Sequence, residues 1–156
     1  KAALDHFKTN SFQLLWQCGK SYEQELANFH DALPENVKVF PFIQRMDLAY
    51  ALSTVIVSRA GALSVSELAL VGKPAILVPS PNVAEDHQTK NARALVDRSA
   101  ALLVADVQAQ QELLSTALHL LQDPAQQAAL SAELKAMALP NATKDIVDVC
   151  EKVAQK

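Results

Sequence analysis

Five short apolar runs, at residues 12–17, 37–42, 54–58, 75–79 and 101–105, recur along the first two thirds of the chain. Each is nearly continuous in apolar character instead of alternating, the mark of a strand covered on both faces. The intervals between them are long enough for crossover helices, which parallel strands require. This pattern leaves few folds open. Strands alternating with helices argue an α/β protein with a Rossmann-like, doubly wound parallel sheet and right-handed crossovers.

The intervening segments carry helical signals. Tyr22, Leu26, Phe29 and Leu33 share one face of a helix, and Ser21 with Gln24 fits its capping box. Residues 63–71 form a short helix that Gly72 ends from the C′ position, with Pro74 just beyond. Ala92, Leu95 and Val96 mark a helix for which Asp86 is the expected cap. The last third is helical, with apolar faces at Leu113/Leu114/Ala117/Leu121, Leu130/Leu134/Met137 and Ile146/Val149/Val153, separated by Pro124 and Pro140. Residues 1–8 read as the tail of a further helix, so the chain is expected to start inside an element.

Composition excludes several classes. The 156 residues suit one domain, and half of them are hydrophobic. A chain of this size buries roughly 68–70% of its unfolded surface and needs no staple. The net charge of −3 comes without a basic face, which argues against nucleic acid. Cys18 and Cys150 belong to no metal or redox pattern and read as reduced thiols of a cytoplasmic protein. No apolar run reaches the roughly 18 residues of a membrane span.

Ligands of doubly wound sheets bind beyond the carboxyl ends of the strands. The loop after Ser58 runs Arg59-Ala60-Gly61-Ala62-Leu63-Ser64-Val65-Ser66-Glu67, from a buried strand through a one-glycine turn into a helix. The first amides of such a helix lack intrahelical acceptors and sit at the positive end of its dipole. They suit a phosphate, Gly61 removes a Cβ from its path, and Arg59 adds a charge. Equally, Ser64 and Glu67 match S-x-x-E, a capping box that turns the carboxylate back onto the backbone. A second loop, after Pro79, leads to His87-Gln88-Thr89-Lys90-Asn91. Gln88 and Asn91 share a helix face, and their amides both donate and accept, as sugar hydroxyls require. A solvated first turn is the plain alternative. After the run at 37–42, the backbone around Ile43 is available to a base edge.

Together, Trp16-Gln17-Cys18-Gly19-Lys20, Phe42-Ile43, the Ser58–Glu67 segment, Gly72-Lys73-Pro74-Ala75 and His87-Gln88 to Asn91-Ala92 resemble the C-terminal domain of MurG-type glycosyltransferases. The resemblance covers most of the chain and implies the C-terminal half of a GT-B fold. The implied reaction is inverting transfer of N-acetylglucosamine from its UDP donor to lipid I in peptidoglycan synthesis. On this likeness the Ile43 backbone holds the uracil edge. Gly61, Ala62, Leu63 and Ser64 meet the diphosphate and the sugar, with Val65 and Ser66 completing the donor-binding stretch. Glu67 accepts the ribose hydroxyls, Gln88 and Asn91 hold the N-acetylglucosamine hydroxyls, and Arg59 assists at phosphate. Neither a cofactor nor a metal is implied.

The same comparison implies that residues 1–156 are one donor-binding domain without its first strand and without the N-terminal acceptor domain. The catalytic base and the membrane contact at the cytoplasmic face belong to that other half. The missing strand lies mid-sheet in the usual order, so apolar strand edges and self-association of the chain are expected. Weak UDP binding without transfer is expected as well. Two rivals stay open: another UDP-sugar enzyme such as a UDP-N-acetylglucosamine 2-epimerase, and a non-catalytic α/β module binding phosphate or a protein partner.

Overall fold

The computed structural model describes residues 7–8, 11–28 and 33–155. The helical tail expected at 1–8 lies outside these residues except at 7 and 8, as do Phe29 and the side chain of Leu26. The chain forms two compact units, residues 1–52 and 53–156.

In the first unit, β1 (Leu14–Gln17) pairs in parallel with β2 (Val37–Phe40), Leu14 opposite Val37 and Gln17 opposite Phe40. Between them stands α1 (Glu23–Ala27), entered through a 3-10 turn at Lys20–Tyr22. Ser21 falls inside that turn, so it does not stand at a helix start and the expected capping box with Gln24 does not form. The unit closes with α2 (Met46–Leu52), a helix that the apolar spacing did not announce. It is two turns long and buries only Ala49, too little periodicity to separate from a loop.

The second unit holds a three-stranded parallel sheet in which β4 (Ala75–Leu77) lies between β3 (Ile56–Ser58) and β5 (Leu102–Leu103). All three residues of β4 are fully buried, as its central place requires. β3 and β5 have one ladder partner each, and Val57 and Leu103 are partly exposed. Four helices follow the strands: α3 (Ala62–Val71), α4 (His87–Val96), α5 (Ala109–Gln122) and α6 (Pro124–Ala136); a fifth, α7 (Ala142–Ala154), ends the unit. Ile76, Val78, Val104, Leu120 and Leu130 form the core, with Leu113 and Ala117 of α5 packed against it.

The parallel α/β expectation therefore holds, with one difference. The five strands hydrogen-bond as two sheets, β1-β2 and β3-β4-β5, instead of one. Among the described residues β1, β2 and β3 have one ladder partner each, and all three, expected to be covered, expose apolar side chains: Leu15 and Trp16, Phe40, and Val57.

Local stop signals act as read from the sequence. Asp123 caps α6 by accepting from the Gln126 N–H at 2.9 Å, with Pro124 in the first turn where a missing N–H does no harm. Gly72 ends α3 in the left-handed region, φ 62, and the methylene stem of Lys135 from α6 lies where a Cβ would be. Gly72→Ala is expected to lower stability by about 1 kcal/mol, from the positive φ and the displaced lysine. A urea midpoint unchanged from the parent would refute it.

Candidate functional site

The site is built from the loops at the carboxyl ends of β3 and β4. After Ser58 the chain turns through Arg59, Ala60 and Gly61 and enters α3 at Ala62, so Gly61 is the N-cap. The first intrahelical bond runs from the Val65 N–H to the Gly61 C=O at 2.9 Å. The amides of Ala62, Leu63 and Ser64 thus precede the helical ladder, at the positive end of a ten-residue helix. Ala62 and Leu63 are exposed. No side chain caps this end.

That geometry decides between the two readings of Ser64 and Glu67. A capping box needs serine at the N-cap and glutamate three residues on. Ser64 is instead the third helical residue and Glu67 stands a turn deeper, so the box is not formed. Glu67 is exposed on the helix. Val65 and Ser66 turn their polar groups inward, Val65 through the bond to Gly61 and Ser66 by donating from Oγ to the Ala62 C=O at 3.0 Å.

Gly61 is informative because the fold does not need it. Its φ of −64° is open to any residue, and a Cβ there meets only Ser64 Oγ at 3.7 Å, an ordinary contact. The freedom of glycine is thus used by nothing within the described residues. Glycine also serves as an N-cap, and its missing side chain leaves the backbone at this turn open to a ligand.

Gln88 and Asn91 lie in the first turns of α4, half-buried, and both reach the turn before α3. Gln88 Oε1 accepts from the Ala60 N–H at 3.2 Å and from the Ser80 N–H at 2.9 Å. Asn91 Nδ2 donates to the Ala60 C=O at 3.0 Å. These partners settle the amide orientations, since two N–H groups demand an oxygen and a carbonyl demands a nitrogen. The Gln88 NH2 group and Asn91 Oδ1 stand outside these bonds.

Asp86 does not cap α4 as expected. It and Glu85 both have positive φ, 52° and 53°, whereas an N-cap requires extended backbone to turn its carboxylate onto the helix amides. His87 instead braces the approach, its Nδ1 lying 2.8 Å from the Ala84 carbonyl.

Arg59 crosses the strand ends. Its Nη1 donates to the Val78 C=O at 3.1 Å and pairs with Asp106, the residue that opens the 3-10 turn after β5. The charge is therefore tied to the segments that follow β4 and β5, 19 and 47 residues away in sequence. Asp106 was not singled out by sequence reasoning, because nothing local marks it. In the first unit, Ile43 donates its N–H to Gln17 Oε1 at 2.8 Å.

Parallel strands feeding helices, with a helix start at a strand's carboxyl end, define a parallel α/β unit. Residues 1–146 match the family described as the glycosyltransferase family 28 C-terminal domain. The chain belongs to that family. A relative from Flavobacterium psychrophilum is 49% identical over 97% of this chain, and one from Cytophaga hutchinsonii is 51% identical over 93%. Both are named UDP-N-acetylglucosamine–N-acetylmuramyl-(pentapeptide) pyrophosphoryl-undecaprenol N-acetylglucosamine transferase. The chain spans 41% and 38% of their lengths. The crystal structure of Acinetobacter baumannii MurG matches with a TM-score of 0.78 and 31% identity, over 97% of this chain and 45% of that one. None of the helices among the described residues is long and apolar enough to cross a membrane.

Proposed function

We propose that this chain binds UDP-N-acetylglucosamine as the donor domain of a transferase acting on lipid-linked N-acetylmuramyl-pentapeptide. The observation that carries the reading is the start of α3: three amides ahead of the first helical bond, beside a glycine N-cap around which there is room for more than the fold fills. The transferase names of the relatives favour this reading over an epimerase or a non-catalytic module.

In this reading the diphosphate lies against Ala62, Leu63 and Ser64. Negative charge that builds on the departing UDP meets oriented amides and the helix dipole, both in place before the reaction. Such stabilisation does not depend on a bound metal. Glu67 accepts the ribose hydroxyls from the exposed face of α3. The sugar meets the Gln88 NH2 group as a donor and Asn91 Oδ1 as an acceptor, the two ends left over by their bonds to Ala60 and Ser80. Arg59 contributes to the anion's field from the strand ends, held there by Asp106. Ile43 enters on family likeness alone, through its carbonyl. The acceptor in this reading is lipid-linked, so the reaction takes place at a membrane surface.

Calorimetric titration of the folded chain with UDP tests the proposal. Saturable heat that a uridine titration does not reproduce is expected, because the diphosphate supplies the helix contact. Absence of heat at millimolar UDP discards it.

A further inference from the structure

Ala60 is fully buried, and both of its peptide groups are held by side chains from a single helix. Its N–H goes to Gln88 Oε1 and its C=O receives Asn91 Nδ2, two residues three apart on α4. Gln88 Oε1 also takes the Ser80 N–H, so one oxygen fastens the β3–α3 turn to the loop after β4. A carbonyl oxygen has two lone pairs, and both have N–H partners here. Gln88 therefore cannot also accept a hydroxyl at that atom.

From this bracket we infer that Gln88 and Asn91 are positioning residues for the nucleotide diphosphate, acting through Ala60 to fix the direction of the first amides of α3. Ala60 is followed directly by Gly61, the N-cap, and then by the amides of Ala62, Leu63 and Ser64. A glycine N-cap with no side-chain cap gives the turn no local restraint. The two amide side chains supply that restraint from outside the segment. Oriented donors act on an anion only when held in place beforehand, because a misplacement of about 1 Å weakens them strongly. The inference rests on the donor-binding reading and adds to it. Both side chains act on the diphosphate without touching it, whatever their free ends do for the sugar.

The test compares UDP with UDP-N-acetylglucosamine on the parent chain, on Gln88→Met, which keeps length and loses the acceptor, and on Asn91→Leu, which loses the donor. Affinity for UDP, which carries no sugar, is expected to fall about fivefold in each variant. Amide hydrogen exchange at Ala60 and Ser80 is expected to speed up in Gln88→Met, and the thermal midpoint to fall by several degrees without loss of the fold, because the buried Ala60 N–H loses its acceptor. A merely structural role would lower the midpoint in the same way and leave UDP affinity at the parent's value. Should either folded variant bind UDP as the parent does and lose only UDP-N-acetylglucosamine, the positioning role is overturned and sugar contact alone remains. A parent chain that binds no UDP would overturn the donor-binding reading itself, a distinguishable outcome. If one variant does not fold, the other decides.

Discussion

Glu67→Ala is expected to weaken UDP binding by about 10- to 100-fold while leaving the fold nearly as stable as the parent. A carboxylate that accepts hydrogen bonds from two ribose hydroxyls contributes about 1.5–3 kcal/mol, and each 1.4 kcal/mol is roughly tenfold in affinity. The residue lies in the second turn of α3, past the positions where a glutamate caps a helix. It is exposed, and alanine is the best helix former, so the stability change should stay within about 0.5 kcal/mol. Calorimetry and a thermal melt on the same sample separate the two effects. A drop in stability of about 0.5–2 kcal/mol with unchanged affinity would be the behaviour of a cap and would remove Glu67 from the site.

Gly61→Ala should show the same dissociation between fold and ligand, from the opposite direction. Alanine at φ −64° is unstrained, and its methyl meets only Ser64 Oγ at 3.7 Å. Loss of unfolded-state entropy favours the variant by about 0.4–1 kcal/mol, and the poorer N-cap opposes it by a similar amount. The melting midpoint should therefore hardly move. A diphosphate lying on the amides of Ala62 and Leu63 has no room for a methyl group beside them, and UDP affinity should fall on the order of tenfold. Wild-type affinity in this variant would mean that the ligand, if it binds, approaches another face. The two substitutions separately test the proposed ribose and diphosphate contacts.

Much of this fold is legible locally. The continuous apolar run at 75–79 becomes β4, buried at every residue as a central parallel strand must be, and the run at 37–42 becomes β2, which buries Val37 and leaves Phe40 partly exposed. Gly72 and Pro124 end and start helices where expected, since each residue's own φ decides the matter. Local reading fails where two local signals compete. Ser64 has the right spacing to Glu67 for a capping box, yet Gly61 starts the helix earlier because the strand β3 ends at Ser58 and the turn is short. Asp86 has the residue type of a cap and the backbone of a left-handed turn, a conformation set by the path from β4 into α4.

The site divides along the same line. Its location after Ser58, at the carboxyl end of a parallel strand with one glycine, follows from the order of residues alone, because strand, turn and helix start are contiguous in the chain. What Gln88, Asn91 and Arg59 do there is a matter of which loops meet. Gln88 finds Ala60 across 28 residues and Arg59 finds Asp106 across 47, distances over which no periodicity or spacing rule operates. Strand pairing through β4 brings those segments together, and only then does a side-chain amide have a peptide to hold. Local propensity thus determined the elements and the helix start, and the three-dimensional arrangement decided which polar atoms are already committed and which are left for a ligand.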